Sequence, residues 1–250
     1  MDGSRKILRL QGDGAAEFLQ SLVTNDVTGV ADGLVYAALL TPQGKYLADF
    51  FLKADDGDIL IDLPTALADM VAARLRMYIL RKPLKLLETD ITVARGTGSA
   101  PAGALPDPRH PALGWRAYGP KAGDDGTDWT ALRIAHIIPD YGAELSPDSF
   151  ILEHGFDRLN GVDFKKGCYV GQEVTARMHH KTDLRKGLAR VELDAPIAAG
   201  TPITSGDKEV GIITTSHDKS ALAYVRFDRI AEDMRVGPAR ILNVTQHKDI

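Results

Sequence analysis

The chain is poor in sulfur chemistry. It has one cysteine, Cys168, in 250 residues. A lone cysteine excludes an internal disulfide, and it excludes a zinc or iron–sulfur site built only from this chain's own cysteines. No apolar run approaches the ~20 residues that a membrane-spanning helix needs. The opening MDGSRKILRLQGDG has no apolar signal core, so the reading is a soluble, cytoplasmic protein in a reducing compartment, with no membrane partner. Positive charge is not in excess either. Thirty basic residues stand against 34 acidic ones, the net charge is −4 and the pI is near 6.0, which argues against direct nucleic-acid binding. A phosphate loop, a dinucleotide-binding glycine pattern and a Gly-x-Ser-x-Gly elbow are all missing, as is any histidine pair at metal-ligand spacing.

What remains is ordinary globular usage, with 44 % hydrophobic and 26 % charged residues. Asp13 is placed to cap a helix whose stripe is Ala15, Phe18, Leu19, Leu22 and Val23. LVYAALL (34–40) and YLADFFL (46–52) flank TPQGK and read as a hairpin, with Pro42 and Gly44 in the turn. ILIDL (59–63) is a third strand. Pro64 then opens a helix striped by Leu67, Met70, Val71, Leu75, Tyr78 and Ile79, ending in Arg81-Lys82 before Pro83. LKLLE and ITVAR read as strands. The Gly- and Pro-rich stretch 96–128 reads as a long surface excursion, tied down by Trp115 and Tyr118. ALRIAHIIP (131–139) reads as the start of a helix. From Gly187 the texture is all β. The expected class is α+β, with a region over 1–186 and a small β-barrel over 187–250.

The chemistry concentrates at KKGCYVGQE. Lys165 and Lys166 put positive charge near the Cys168 thiol, and a helix after Gly171 would add its N-terminal amides; both would favour thiolate. A buried structural cysteine is equally consistent with the local chemistry. Arg177, His179, His180, Lys181, Arg185, Lys186 and Arg190 form a cationic run that is either a solvated face or an anion site. Asp49 falls on a core-facing row of its strand, where a carboxylate must be paired or used.

The run Lys166-Gly167-Cys168-Tyr169-Val170-Gly171-Gln172-Glu173 resembles the signature of the YgfZ family, relatives of the glycine cleavage T-protein. With Thr175-Ala176-Arg177 and His179-His180 it is most similar to the mitochondrial iron–sulfur assembly branch. GDGAAEFLQSLVTNDV, TPQGKYLADFFL and RIAHIIPDYGAEL follow the family's order, so the resemblance covers most of the chain. It implies a T-protein-like folate-binding body followed by a small C-terminal β-barrel, and a role in assembly, maturation or repair of iron–sulfur proteins, chiefly those with 4Fe–4S clusters. Effects on tRNA modification would be indirect. Cys168 and Lys166 would be the catalytic pair, with Lys165, Gly167, Tyr169, Gly171, Gln172, Glu173 and Arg177 completing the motif. Asn25, Asp26, Asp49 and Arg133 would face tetrahydrofolate or a derivative. Partners would be iron–sulfur assembly proteins or client 4Fe–4S enzymes, with Cys168 sharing a transient cluster. The alternative is a tetrahydrofolate-dependent aminomethyltransferase. Against it, Ala135 stands where T-proteins carry a pterin-gripping glutamate, Ala48-Asp49 replaces an Asp-Asp pair, and Cys168 replaces an aspartate.

Overall fold

The computed structural model describes residues 4–80, 82–121, 123–180 and 184–249. The sequence expectations for Arg81 and Lys181 lie outside them. The chain divides into two compact units, Met1–Thr127 with Leu159–Val174, and Asp128–Arg158 with Thr175–Ile250. This division does not follow the expected boundary at 186, because residues 128–158 group with the C-terminal strands.

The first unit is built on an antiparallel sheet of β1 (Arg5–Gln11), β2 (Val35–Leu40), β3 (Tyr46–Asp55), β4 (Asp58–Pro64) and β5 (Lys85–Glu88), in the order β2-β3-β4-β1-β5. Helix α1 (Ala15–Gln20) is shorter than its stripe, and Asp13 does not cap it. Gly14 is the cap, at φ 83°, a left-handed conformation that glycine adopts without steric cost. Leu22 and Val23 are still buried beyond the helix end. Helix α2 (Thr65–Ile79) starts one residue later than expected, with Pro64 as its cap. Leu67, Ala68, Val71, Ala72 and Leu75 form its buried face. Its three large side chains contribute about 1.5–3 kcal/mol each by burial. Met70 and Tyr78, expected on that face, are exposed. At 100° per residue Met70 lies about 140° from Leu75, the centre of the packed face, whereas Tyr78 lies only about 60° from it and is exposed in the last turn of the helix.

The stretch 96–128 is not an irregular excursion. It holds β7 (Leu105–Pro106), β8 (Trp115–Gly119) and β9 (Gly123–Asp124), which join β6 (Thr92–Gly96) in a second sheet, order β7-β8-β6-β9. Its anchor is electrostatic. Arg116 and Tyr118 alternate on β8 and both reach Asp62 on β4, at 2.7 and 2.9 Å, while Arg5 meets the other carboxylate oxygen at 2.6 Å. Burial raises the Asp62 carboxyl, but Arg116 and Arg5 outweigh it and hold it at about 2. Arg109 pairs with buried Asp107 at 2.7 Å. Trp115 donates to the Gly98 carbonyl at 3.0 Å.

The second unit carries α3 (Trp129–His136), the C-terminal part of α4 (Gln172–His180), and a closed barrel. The barrel strands are β10 (Lys186–Leu193), β11 (Pro202–Ser205), β12 (Lys208–His217), β13 (Ser220–Arg226), β14 (Arg235–Val236) and β15 (Ala239–Gln246), in the order β10-β13-β12-β11-β14-β15. Val191, Leu193, Ile203, Ile213, Val225 and Val236 fill it. Closure removes every free strand edge. No helix among the described residues is long and apolar enough to cross a membrane.

Candidate functional site

The Thr24-Asn25-Asp26 turn and the cysteine loop, 141 residues apart at Asn25 and Lys166, are bonded together. Thr24 donates its hydroxyl to the Gly161 carbonyl at 2.6 Å and accepts from the Ala38 amide at 2.8 Å. Asn25 donates to the Tyr36 and Asn160 carbonyls at 2.8 and 2.7 Å. The Asp163 amide donates to the Thr24 carbonyl, and its carboxylate accepts from the Lys165 amide at 2.7 Å. These bonds fix the chain as it enters the loop.

Lys166 fixes the loop itself. Its side chain is buried, and its ammonium donates to the Val23 and Asn25 carbonyls at 2.7 and 2.6 Å, with the Tyr169 ring centre 5.3 Å away. Desolvation pulls its pKa down to about 8, against the opposing pull of Asp26 and Asp163. Lys166 was expected as a catalytic partner of the thiol; the structure gives its ammonium a bracing role. Tyr169 is buried, whereas Lys165, Gly167 and Cys168 are exposed. The loop therefore alternates anchor and outward residues, with the thiol on the outward set.

Past the thiol, Gly171 has φ +86°, and a Cβ there would lie 2.6 Å from the Thr41 carbonyl oxygen and 3.2 Å from the Gly44 Cα. Gly44, at φ +75°, leaves 2.8 Å between a would-be Cβ and Val174. The β2–β3 hairpin turn thus presses backbone to backbone on the chain that begins α4, which starts at Gln172 as expected. A side chain at 167 would meet nothing. Gln172 and Glu173 open α4, and Arg177 projects from it, exposed with His179 and His180. The histidine rings meet edge-on at 5.6 Å.

The proposed folate residues are engaged otherwise. Asp49 is buried and accepts from the Tyr36 and Tyr46 hydroxyls at 3.0 and 2.6 Å. Both phenols are raised well above their usual range by burial, and by Asp49 after it. Asp26 accepts from the amide and hydroxyl of Thr28 and from Gln20; the Thr28 bonds, first the amide and then the hydroxyl, lower its pKa. Arg133, in the second unit, donates to the Ile138 carbonyl and to buried Glu144. Asn25, Asp26 and Asp49 are in the first unit. Each of the four bonds elsewhere in the protein, and a pterin would have to displace the tyrosines to reach Asp49. The residues present do not fit a folate as arranged. The cationic run also splits: Arg190 lies on β10 and donates to the Ala135 carbonyl at 3.0 Å, while Arg185 is exposed.

Sequence reasoning missed Asp62, Arg109, Arg116 and Glu144. The signal used for Asp49, a carboxylate in an apolar strand, was equally present for Asp62 in ILIDL. Arg116 and Tyr118 carried a two-residue alternation inside a stretch in which only Trp115 and Tyr118 were expected to be anchors.

An α+β body followed by a closed six-stranded barrel defines a class by fold, that of the aminomethyltransferases, and here it carries an exposed cysteine on a braced loop. The glycine cleavage system aminomethyltransferase T of Bartonella henselae superposes with a TM-score of 0.77 over 98 % of this chain and 83 % of its own, at 13 % identity. That likeness shows the T-protein-like fold. Residues 185–246 match the model of the CAF17 C-terminal β-barrel domain. The "iron-sulfur cluster assembly factor IBA57 homolog, mitochondrial" of Mycosarcoma maydis is 30 % identical over 94 % of this chain and 67 % of its own length. The mouse protein of that name is 27 % identical, over 94 % of this chain and 79 % of its own. The Pyricularia oryzae homologue is 30 % identical over 84 % and 61 %. The chain belongs to this family of IBA57 iron–sulfur cluster assembly factors. The match falls on the mitochondrial assembly branch of the expected resemblance rather than on YgfZ by name. It overturns the cytoplasmic expectation, because these relatives are all named as mitochondrial.

Proposed function

We propose that this chain assists the assembly or maturation of 4Fe–4S proteins and contributes one ligand, the Cys168 thiolate, to a cluster shared with a partner. The observation that carries the reading is the exposed Cys168 on a loop held from below by Lys166 and from its C-terminal side by Gly171. A functional ligand needs positioning without enclosure, and this loop supplies both. Among the described residues no cluster of three or more metal-binding side chains exists. Iron–sulfur clusters are held by four ligands as a rule, so the remaining ligands come from the partner. The cluster is cargo. A single exposed thiolate can be exchanged for a client's ligand without unfolding either protein. Effects on tRNA modification would follow through client enzymes that carry 4Fe–4S clusters. No step is assigned to a folate.

The test is complementation. In cells lacking the protein, wild type should restore the activity of a 4Fe–4S hydro-lyase, and Cys168→Ser should not. Equal rescue by Cys168→Ser at matched protein level would overturn the proposal. Absorbance and electron paramagnetic resonance of the chain mixed with a cluster-loaded assembly protein would show whether the signal depends on Cys168.

A further inference from the structure

Helix α2 uses one face against its sheet and leaves a second apolar row outside. Ala66, Met70, Ala73, Met77 and Leu80 follow one another at steps of four, three, four and three, and all are exposed. Met77 is 68 % exposed and Leu80 83 %. That spacing is the a/d seam of a coiled coil, two positions in seven. Soluble surfaces usually scatter their exposed apolar side chains, and a continuous row marks a contact.

The flank of the row specifies the occupant. Asp69 and Arg76 are seven residues apart and border the seam on the same side. Neither makes an ion pair among the described residues. Glu88, whose charge Arg76 influences, is already held by Lys6 at 2.7 Å. Lay a second α2 antiparallel on the first, with Ala66 opposite Met77. Met70 then falls opposite Ala73, and each layer pairs one alanine with one methionine. In that register Asp69 meets Arg76 of the other copy, twice by symmetry, and Arg74 does not meet itself. Small-against-large layers let helices approach closely, and methionine adapts to the remaining gaps.

We propose that the outer face of α2 is a self-complementary docking surface for a second copy of this chain, packed antiparallel through Met70, Met77 and the Asp69–Arg76 pairs. The pairing is isologous, each patch meeting its own copy. A membrane is the weaker occupant, since a lipid-lying helix offers a broad apolar face and the broad face of α2 is already covered. Four layers make a small contact, so association is weak and concentration-dependent.

Sedimentation equilibrium from about 1 to about 500 µM tests this, a range suited to small interfaces. Wild type should move from monomer to dimer. Asp69→Arg and Arg76→Asp should each weaken association by about tenfold, because either change turns both symmetry-related charge pairs repulsive. The double variant, D69R with R76D, should recover it, and Met77→Glu should abolish it. All these positions are exposed or at the helix surface, and circular dichroism checks that each variant folds. A wild type that stays monomeric throughout would overturn the proposal. So would a dimer unaffected by the charge changes, single losses that the double variant does not recover, or binding of phosphatidylserine vesicles through Met77 without self-association.

Discussion

Two glycines flank the thiol, and they should respond oppositely to the same change. In Gly171→Ala the new methyl would sit 2.6 Å from the Thr41 carbonyl oxygen and 3.0 Å from the Leu40 Cβ, on a backbone at φ +86°. Alanine in that left-handed region costs about 1–2 kcal/mol. The clash is with backbone, not a side chain that can swing away, so the hairpin must shift, at about 1–3 kcal/mol. Restricting the unfolded chain returns about 0.4–1 kcal/mol. The net is a loss of about 1–4.5 kcal/mol, centred near 3. Gly167→Ala meets nothing within 4 Å and lies outside the positive-φ set, so it should fall within about 0.5 kcal/mol of wild type. Urea unfolding of both variants gives the energies. Amide exchange over Val35–Leu40 and Tyr46–Asp55 shows whether the loss is local to the hairpin. A Gly171→Ala protein as stable as wild type, or a Gly167→Ala protein equally damaged, would refute the claim that backbone contact positions the cysteine loop.

Three further outcomes can be measured. Asp62→Asn leaves the buried Arg116 and its neighbour Arg5 without their carboxylate, and urea midpoints should record a loss of about 3–5 kcal/mol. His154 is held neutral, its pKa lowered to about 3 by burial, with His247 and Lys186 adding to it, so the unfolded state binds the extra proton as pH falls below 6.5. Stability should therefore drop from pH 6.5 downward, by about 2 kcal/mol at pH 5 from this residue, and His154→Phe should flatten that slope. Lys166 behaves in the same sense at alkaline pH: its folded pKa near 8 lies below 10.5, so its contribution should rise between those values, and Lys166→Met should lack the rise.

Periodicity carried most of the regular structure. Strand VYAALL could be read as an unbroken apolar run, buried on both faces, and the packed face of α2 from the 3.6-residue repeat that one-sided burial imposes. The cap of α1 could not, because Asp13 and Gly14 are both good caps and the choice depends on backbone angle. The stretch 96–128 failed for a different reason. Its strands are two to five residues long, and they are held by Arg116 and Tyr118 reaching Asp62, more than fifty residues away. Composition is blind to such pairs. The site divides along the same line. The motif around Cys168 was legible as a pattern, whereas the bonding of Lys166 to the Val23 and Asn25 carbonyls was not, because a lysine near a thiol in sequence can direct its charge elsewhere in space.

By itself the sequence determined the solitary thiol, its glycine- and lysine-rich setting, the alternation of strands and helices and the all-β C-terminal part. These are local or compositional properties, written in adjacent residues. Tertiary structure decided that Lys166 and Asn25 brace the loop, that Gly171 meets Gly44, that Asp49 is held by two tyrosines and that Met70 faces outward. Each of those depends on groups far apart in the chain, and only packing sets which of them share a surface.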